Sequence, residues 1–336
     1  MPYFYILNPE VSIIIPVKNA APWLHECLQS IAEQDFSAWE CILINDHSDD
    51  STQHIISTFA FYDHRFRQIP NHGSGLIDAY KTSLANARGT WIARMDADDI
   101  MPAYRIGKMV EALQVSAPKT VVTGKIHFFP EEEIGVGTKF YQSWLNKRME
   151  KQDHWNWIWR ECVIPSPCWM ARKTELLHIG NFDELEYPED YNLAFRFFEH
   201  GFTVLGLPEI LHYWRQHENR YSRTSNNYSA EKFMNMKWHF FEKLEAPKFK
   251  NIYLLGTGDK SKYLIEKLDL RFPQWQWISH KISHSGNTIN GRKIQHVSEI
   301  DWKPESAIIS VLSSIDNHNE TYELLAEKSM PVYRFC

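Results

Sequence analysis

The sequence predicts an α/β protein: a mostly parallel sheet with helices on both faces, followed by a smaller α/β unit. Three observations carry this expectation. β-branched runs alternate with helix-period segments from Val11 onward, a dense acidic run follows one of the buried strands, and the same alternation restarts beyond Ala246-Pro247-Lys248.

Val11 to Val17 is a β-branched run ending at a turn, and Ala20-Ala21-Pro22 ahead of Leu24, Cys27, Leu28 and Ile31 reads as a helix with Pro in its first turn. Trp39 to Ile44 reads as a buried strand, Asp46 to Asp50 as a polar turn and Ser51 to Ala60 as a helix. Arg67 to Pro70 is a short strand and Gly75 to Ala87 a helix. Trp91 to Met95 is the next strand, and it delivers Asp96-Ala97-Asp98-Asp99 to the carboxyl edge of the sheet, where such folds bind ligands. Pro102 opens a helix to Val115, Thr120 to Phe129 returns as a strand, and Pro130 to Arg160 is expected as a less regular, tryptophan-bearing insertion.

Trp169 to Arg172 then reads as a strand, Lys173 to Ile179 as a helix, Asp183 to Pro188 as a loop, Glu189 to His200 as a helix and Phe202 to Leu207 as a strand. Tyr213 to Asn227 is polar and reads as a loop over the site, and Ser229 to Leu244 as a helix. In the last segment Asn251 to Leu255 is a strand, Gly256-Thr257-Gly258 a tight turn and Lys260 to Leu268 a helix. Trp275 to Ser279 and Ala307 to Leu312 are strands, and a helix starts at Asn319. The domains expected are 1–228 for the larger sheet, 229–247 for a helical linker and 248–336 for the small unit.

A length of 336 residues suits two domains. Lys plus Arg is 36 against 42 Asp plus Glu, a net charge of −6, which is the wrong sign for a nucleic-acid partner. No run approaches the about 20 apolar residues of a membrane span, and Met1 to Pro9 lacks the basic flank and apolar stretch of a signal peptide. The expectation is a cytoplasmic protein without a transmembrane segment. The five cysteines are scattered and form no C-x-x-C pair, so neither a disulfide framework nor a thiolate zinc site is indicated. Aromatic residues make up 14%, with 13 Trp, which points to flat ligands or sugar faces.

Asp96, Asp98 and Asp99 repel one another, and a hard divalent cation relieves that repulsion through oxygen ligands; Mg²⁺ or Mn²⁺ held together with substrate phosphates fits better than a closed protein cage. The alternative is a solvated acidic turn. Glu189-Asp190 stands at the start of a helix, where the dipole alone favours acids, yet a carboxylate fixed there at the sheet edge is placed to take a proton from an attacking hydroxyl. Asp46 ends a strand and suits a base or ribose, while Ser48 and Asp50 suit helix capping. His217 lies between Arg215 and Arg220, which suit a phosphate. Trp144, Trp155, Trp157, Trp159 and Trp169 are a candidate acceptor wall, with core packing the alternative.

Taken together, these stretches resemble the family 2 glycosyltransferases of the GT-A type, inverting enzymes that use nucleotide-sugar donors. The matching residues are Val11 to Asn19, Trp39 to Asp46 with Ser48 to Thr52, and Arg88 to Ile100 with Pro102 and Arg105. Met170 to Lys173, Gly180 to Asp183, Glu189 to Leu193 with Arg196, and Tyr213 to His217 with Asn219 and Ser222 follow in the family's order. The resemblance implies Asp190 as catalytic base and Asp98 as the carboxylate nearest the metal, with His217 beside the metal or diphosphate. Pro16, Asn19, Asp46, Arg94, Asp96 and Arg215 then surround the donor, and Trp155, Trp157, Trp169 and Glu189 face the acceptor. It implies Mn²⁺ or Mg²⁺ as cofactor, a nucleoside-diphosphate sugar, with UDP favoured, as donor, and a glycan or lipid-linked glycan as acceptor. It also implies a place in bacterial surface glycan assembly, at the inner face of the cell membrane. Three positions depart from the family pattern: Asn45 stands for an Asp, His47 for a Gly, and Asp78 for a small residue.

Residues 250–336 lie outside that resemblance. Ile252 to Gly258 is similar to the start of a dinucleotide-binding fold, but Ser261 stands where the third glycine belongs and no acid follows the next strand in the ribose-binding position. A scaffold or interaction module and a cofactor-binding module both remain open here. Two rival functions follow: a non-catalytic nucleotide- or glycan-binding partner, and an NAD-dependent nucleotide-sugar enzyme built on the last segment.

Overall fold

The computed structural model describes residues 8–180, 182, 186–289, 291–313 and 318–336. They fall into two units. One takes the residues through Trp155 together with Val163–Thr224, and the other takes Asn156–Cys162 and Ser225–Cys336.

In the first unit the chain runs β1 (Val11–Val17), α1 (Ala21–Ala32), β2 (Trp39–Asn45), α2 (Thr52–Tyr62), β3 (Phe66–Pro70), α3 (Leu76–Asn86), β4 (Trp91–Arg94) and α4 (Arg105–Val115). It continues through β5 (Thr120–Phe129), α5 (Val136–Lys151), β6 (Trp169–Arg172), α6 (Lys173–His178), α7 (Glu189–Glu199), β7 (Thr203–Arg215) and the short α8 (Tyr221–Thr224). The sheet order is β3-β2-β1-β4-β6-β5-β7. All pairs are parallel except that β6 runs antiparallel to both β4 and β5.

β1 and β2 are buried on both faces, as a covered parallel sheet requires, which is why they read as unbroken apolar runs. Ile13, Ile15 and Leu43 pack in one core with Leu24, Cys27, Leu28 and Ile31 of α1. The register aligns Val17 with Asn45 and Ile14 with Arg94, so the loops that follow β1, β2 and β4 open along one edge. The chain crosses over between β1 and β4, the topological switch point where open α/β sheets bind ligands.

At the opposite edge, Ser12 Oγ donates to Glu40 Oε1 at 2.7 Å and accepts from Gly89 N at 2.8 Å, while Arg67 and Arg88 ion-pair with Glu40. Burial works against the charge of Glu40, but the bonds from Ser12, Arg88 and Arg67 hold its pKa below the usual carboxylate range. Gly89 is required by contact here: a Cβ would lie 2.5 Å from Ser12 N.

The structure corrects two expectations in this unit. The stretch 130–160, expected to be irregular, contains the 16-residue helix α5, whose buried side chains are only Leu145, Arg148 and Met149. So few inward positions leave little periodicity to read. The strand expected over 202–207 runs on to Arg215, because it pairs with β5 through Phe129↔Arg215 across an irregularity at Gly124 and Lys125. The expected polar loop therefore begins after the strand. Of the loop expected at Asp183–Pro188, Asp183, Glu184 and Leu185 lie outside the described residues, as does Asn181.

The second unit holds α9 (Ala230–Leu244), β8 (Asn251–Leu255), α10 (Lys262–Arg271), β9 (Gln276–Ser279), β10 (Thr288–Ile289), β11 (Arg292–His296), β12 (Ser306–Ser310), α11 (Asn319–Glu327) and β13 (Val332–Arg334). Its sheet order is β10-β11-β9-β8-β12-β13. Omitting the antiparallel β10, this is the 3-2-1-4-5 order of a dinucleotide-binding sheet. α9, expected as a linker, groups with this unit, and the expected boundary at Ala246–Lys248 is a 3-10 turn within it. Lys237 of α9 explains the inclusion of 156–162: its Nζ donates to the carbonyls of Arg160 and Phe335, and Trp159 stacks on Phe335. β10, β11 and β13 were not expected; they are two, five and three residues long and carry little apolar pattern. Among the described residues no helix is long and apolar enough to cross a membrane.

Candidate active site

Asp46 follows β2 and is only 3% exposed. Asn71 Nδ2 and Gly75 N both donate to its Oδ1 at 2.9 Å, and Lys18 Nζ lies 3.4 Å from Oδ2. Three loops therefore converge on one carboxylate. Asn19 N donates to Ser48 Oγ and Asp49 N to Asn19 Oδ1, so Asn19 joins the loops after β1 and β2. Pro16 pairs with Ile44 at the last turn of the sheet. Asp50 accepts from Ala21 N and Thr52 N and so caps α1 and α2 together.

Two of the departures from the family pattern now have physical content. His47 takes φ 56°, a left-handed conformation that glycine adopts without steric cost, and Nε2 of its ring bonds the Gly73 carbonyl. Asp78, in the first turn of α3, folds back to accept from Ser74 N, and its carboxylate fills the place a side chain at residue 73 would need.

Arg94, the last residue of β4, is 5% exposed. Its Nε donates to Asp96 Oδ1 at 3.1 Å, its Nη1 to Glu189 Oε1 at 3.3 Å, and its guanidinium lies over the Tyr80 ring. Burial works against the charge of Arg94, but Asp96, Tyr80, Glu189 and Asp190 outweigh it and push its pKa further up. Arg94 thus lies under the site edge, bound to the acidic loop and to α7. Glu189, expected on the acceptor side, is 1% exposed inside the Arg94 pair. Its neighbour Asp190 is half-buried, accepts from Tyr191 N at 2.7 Å and lines a small recess with Ile164, Ser166, Trp169, Leu193, Ala194 and Phe197.

Asp98 Oδ2 lies 2.9 Å from His217 Nε2, and the His217 ring stacks on Trp23 with centroids 3.9 Å apart. Burial raises the Asp98 pKa, but the hydrogen bond from His217 and the charge of Arg220 outweigh it and hold the carboxyl below its ordinary range. His217 Nδ1 is buried without a hydrogen-bond partner. Arg215 spans the loop: its N donates to Asp99 Oδ1, its Nε to the Asp98 carbonyl, and its Nη2 pairs with Glu26.

Asp99 does not share the position of Asp96 and Asp98. It is wholly buried, and behind it Arg105 Nη1 donates to His212 Nδ1 at 2.9 Å. The proton of His212 is therefore on Nε2, which donates to Asp99 Oδ2 at 2.8 Å. Burial, then Arg105, keeps His212 neutral by driving its pKa well down, and burial and Asp98 push Asp99 up. Arg105 also donates to the carbonyls of Arg94 and Pro167. The sequence contained these residues but not the relay, because Arg105 and His212 are far apart in the chain and only the β4–α4 and β7 packing brings them together.

The tryptophans do not form one wall. Trp169 is 3% exposed, beside Phe197. Trp155 is half-buried and donates to the Phe202 carbonyl. Trp144 stacks on Tyr141. Trp157 and Trp159 belong to the second unit, Trp157 under Arg160 and Arg334.

Among the described residues no three His, Cys, Asp or Glu side chains are grouped to hold a metal on their own. The donor set of Asp98 and His217, one hard oxygen and one imidazole with an orphaned ring nitrogen, fits a divalent ion whose remaining positions go to water and phosphate oxygens.

The mostly parallel sheet, with Asp46, Asp98 and Asp190 disposed along its carboxyl edge, has the order of a GT-A fold. The family profile "Glycosyl transferase family 2" matches residues 12–179, and the chain belongs to that family. The putative glycosyltransferase EpsE of Bacillus subtilis is 28% identical over 266 residues, 74% of this chain and 87% of that protein. In fold, the S. aureus TarS 1-349 complex with UDP-GlcNAc is similar with a TM-score of 0.56 at 17% identity, covering 79% of this chain and 73% of that one. The mannosyltransferase PcManGT of Pyrobaculum calidifontis, in complex with GDP-Man and Mn²⁺, has a TM-score of 0.52 at 19% identity over 70% of this chain and 64% of that one. The protein is a glycosyltransferase.

Proposed function

We propose that the enzyme is a metal-dependent, inverting transferase that moves a sugar from a nucleoside-diphosphate sugar, with UDP favoured, to a hydroxyl of a glycan or lipid-linked glycan in bacterial surface glycan assembly. The observation that carries the reading is the Arg94 bridge, which ties the Asp96–Asp98 loop to the helix start that presents Asp190. The GDP-Man and Mn²⁺ bound by PcManGT support a metal and nucleotide-sugar pairing in this fold.

In this reading Asp46 and Asn19 hold the nucleoside end of the donor, and Pro16 shapes the floor beneath it. Asp98 and His217 would hold the divalent ion, which when bound neutralises charge on the leaving diphosphate. Arg220 adds positive charge beside Asp98. Asp190 takes the proton of the acceptor hydroxyl; that oxygen forms its bond to the anomeric carbon as the bond to the diphosphate breaks, and the electron pair leaves with the nucleoside diphosphate. Glu189 and Arg94 hold Asp190 in place. Trp169 and the recess beside Asp190 lie on the acceptor side, and Trp155 lies further along the same unit.

Thermal stabilisation by UDP, GDP, CMP and dTDP, with and without Mn²⁺, tests the donor half. A shift with one diphosphate that needs both the ion and Asp98, lost in Asp98→Ala, is expected; a shift indifferent to both removes the metal from the reading. Asp190→Asn tests the base: turnover falls about 10²- to 10⁴-fold while donor affinity stays. Loss of donor binding as well would take Asp190 out of that role.

A further inference from the structure

The second unit has a carboxyl sheet edge of its own. β8 sits between β9 and β12, and the chain crosses from one side to the other after β11, so the switch point lies beside β8. The residues that follow these strands carry basic and hydroxyl side chains: Thr257 after β8, His280 and Lys281 after β9, His284 in the next turn, His296 ending β11 and His318 ahead of α11. Both α10 and α11 begin at this edge, with their amino ends toward it.

Two of the histidine rings are in contact. His280 and His318 meet edge to face, with centroids 4.3 Å apart, and the Nδ1 atom of each is buried without a partner. His284 Nδ1 lies 3.3 Å from Thr257 Oγ1 and 3.2 Å from Ser279 Oγ, while Ser279 Oγ accepts from Lys281 N. His296 donates from Nε2 to the His280 carbonyl. His318, Lys281, His284 and His296 all oppose a charge on His280, and the carboxylate of Glu299 is engaged by His296 N and Ser285 Oγ. Asp259, at the start of the turn before α10, is paired with Lys262. Such a set of cations-in-waiting repels itself on protonation, and an anion relieves the repulsion.

Gly258 is the second observation. Its φ of −75° and ψ of 177° suit any residue, and a Cβ there would meet no described atom within 4 Å. Neither backbone conformation nor packing calls for glycine at 258. The reverse holds at Gly256, where φ is 108° and a Cβ would come within 3.1 Å of Val311. A glycine with open space above it at the head of a sheet-edge turn lets a ligand approach the main chain. The end of β9, where a dinucleotide-binding fold places an acid for a ribose hydroxyl, carries Ser279-His280-Lys281 instead. That suits a phosphate in the same place.

We propose that the edge formed by Thr257, Gly258, His280, Lys281, His284 and His318 is a binding site for a phosphorylated ligand, separate from the transfer site. The edge-to-face contact of the two rings, and the lack of a third metal-binding side chain with them among the described residues, favour an anion over a metal ion. The phosphate comes either from a nucleotide or from a free anion.

The test is a titration of the full chain, labelled with ¹⁵N at histidine and kept in EDTA, with inorganic pyrophosphate, NAD⁺ and NADP⁺. His280→Gln and His318→Gln assign the two imidazoles. Saturable shifts of both, with the His280 titration moving to higher pH as the anion binds, are expected. A nucleotide ligand makes NADP⁺ bind tighter than pyrophosphate; a free-anion site makes them alike. Gly258→Leu, which the open space and ordinary backbone accommodate without loss of folding, is expected to weaken binding at least tenfold. No shift at His280 and His318 with any of the three probes overturns the proposal, as does a shift produced by Zn²⁺ alone or an affinity unchanged in Gly258→Leu.

Discussion

Arg94 and Glu189 form a buried ion pair, 3.3 Å between Nη1 and Oε1, that joins the end of a sheet strand to the first turn of the helix presenting Asp190. The same guanidinium holds Asp96. One residue thus sets the spacing between the acidic loop and the proposed base, and it does so from beneath the site.

Replacing Arg94 by Met leaves two carboxylates facing each other with no cation between them. Breaking a buried pair from one side costs about 3–5 kcal/mol, which for a unit of this size lowers Tm by roughly 10 °C. Calorimetry of Arg94→Met checks this, and a Tm within 2 °C of the parent (about 0.5–1 kcal/mol) would mean that the pair holds nothing together.

His154 is buried against Met149, with Nδ1 unpartnered, and burial lowers its pKa from 6.5 to about 4. The unfolded chain binds this proton first, so stability is full above pH 6.5 and is lost as pH falls toward 4. The loss is on the order of 3 kcal/mol. His212, driven down by burial and Arg105, adds to it in the same direction. Urea unfolding at pH 7 and pH 4.5 is expected to show a smaller difference for His154→Leu than for the parent; equal differences would clear His154.

At Gly89 an added Cβ lies 2.5 Å from Ser12 N and 2.9 Å from Ser12 Oγ, the hydroxyl that Glu40 and the Gly89 amide share. Because backbone cannot step aside cheaply, Gly89→Ala is expected to destabilise by about 1–3 kcal/mol or more. A denaturation midpoint matching the parent would contradict the contact.

Trp169→Ala separates core from acceptor wall. A side chain 3% exposed beside Phe197 predicts a stability loss of about 3–5 kcal/mol. If the variant instead unfolds like the parent and loses only acceptor affinity, Trp169 is a surface contact and its place in the core is wrong.

Much of the fold was legible from local pattern. β1, β2 and β4 show as apolar runs because a sheet covered on both faces needs no alternation, and α1 and α9 show because each lays one face on a core, while α7 is buried nearly all round. α5 was missed because most of its surface is exposed, and β13 because three residues carry no period. The sheet-edge placement of Asp46, Asp98 and Asp190 followed from where their strands and helix begin and end.

Residue type and order along the chain, by themselves, determined the α/β class and the family, and pointed to the carboxylates of the candidate site. What each of those side chains touches was decided by tertiary structure alone. Glu189 and Asp190 are adjacent in sequence and equally acidic, yet one is sealed in an ion pair and the other is half-buried beside a small recess. Asp98 and Asp99 are likewise adjacent, and one meets His217 while the other is buried under His212. The reason is geometric: successive side chains leave the backbone in different directions, and whether a carboxylate meets a guanidinium, an imidazole or solvent depends on residues tens of positions away that only the packed sheet brings within reach.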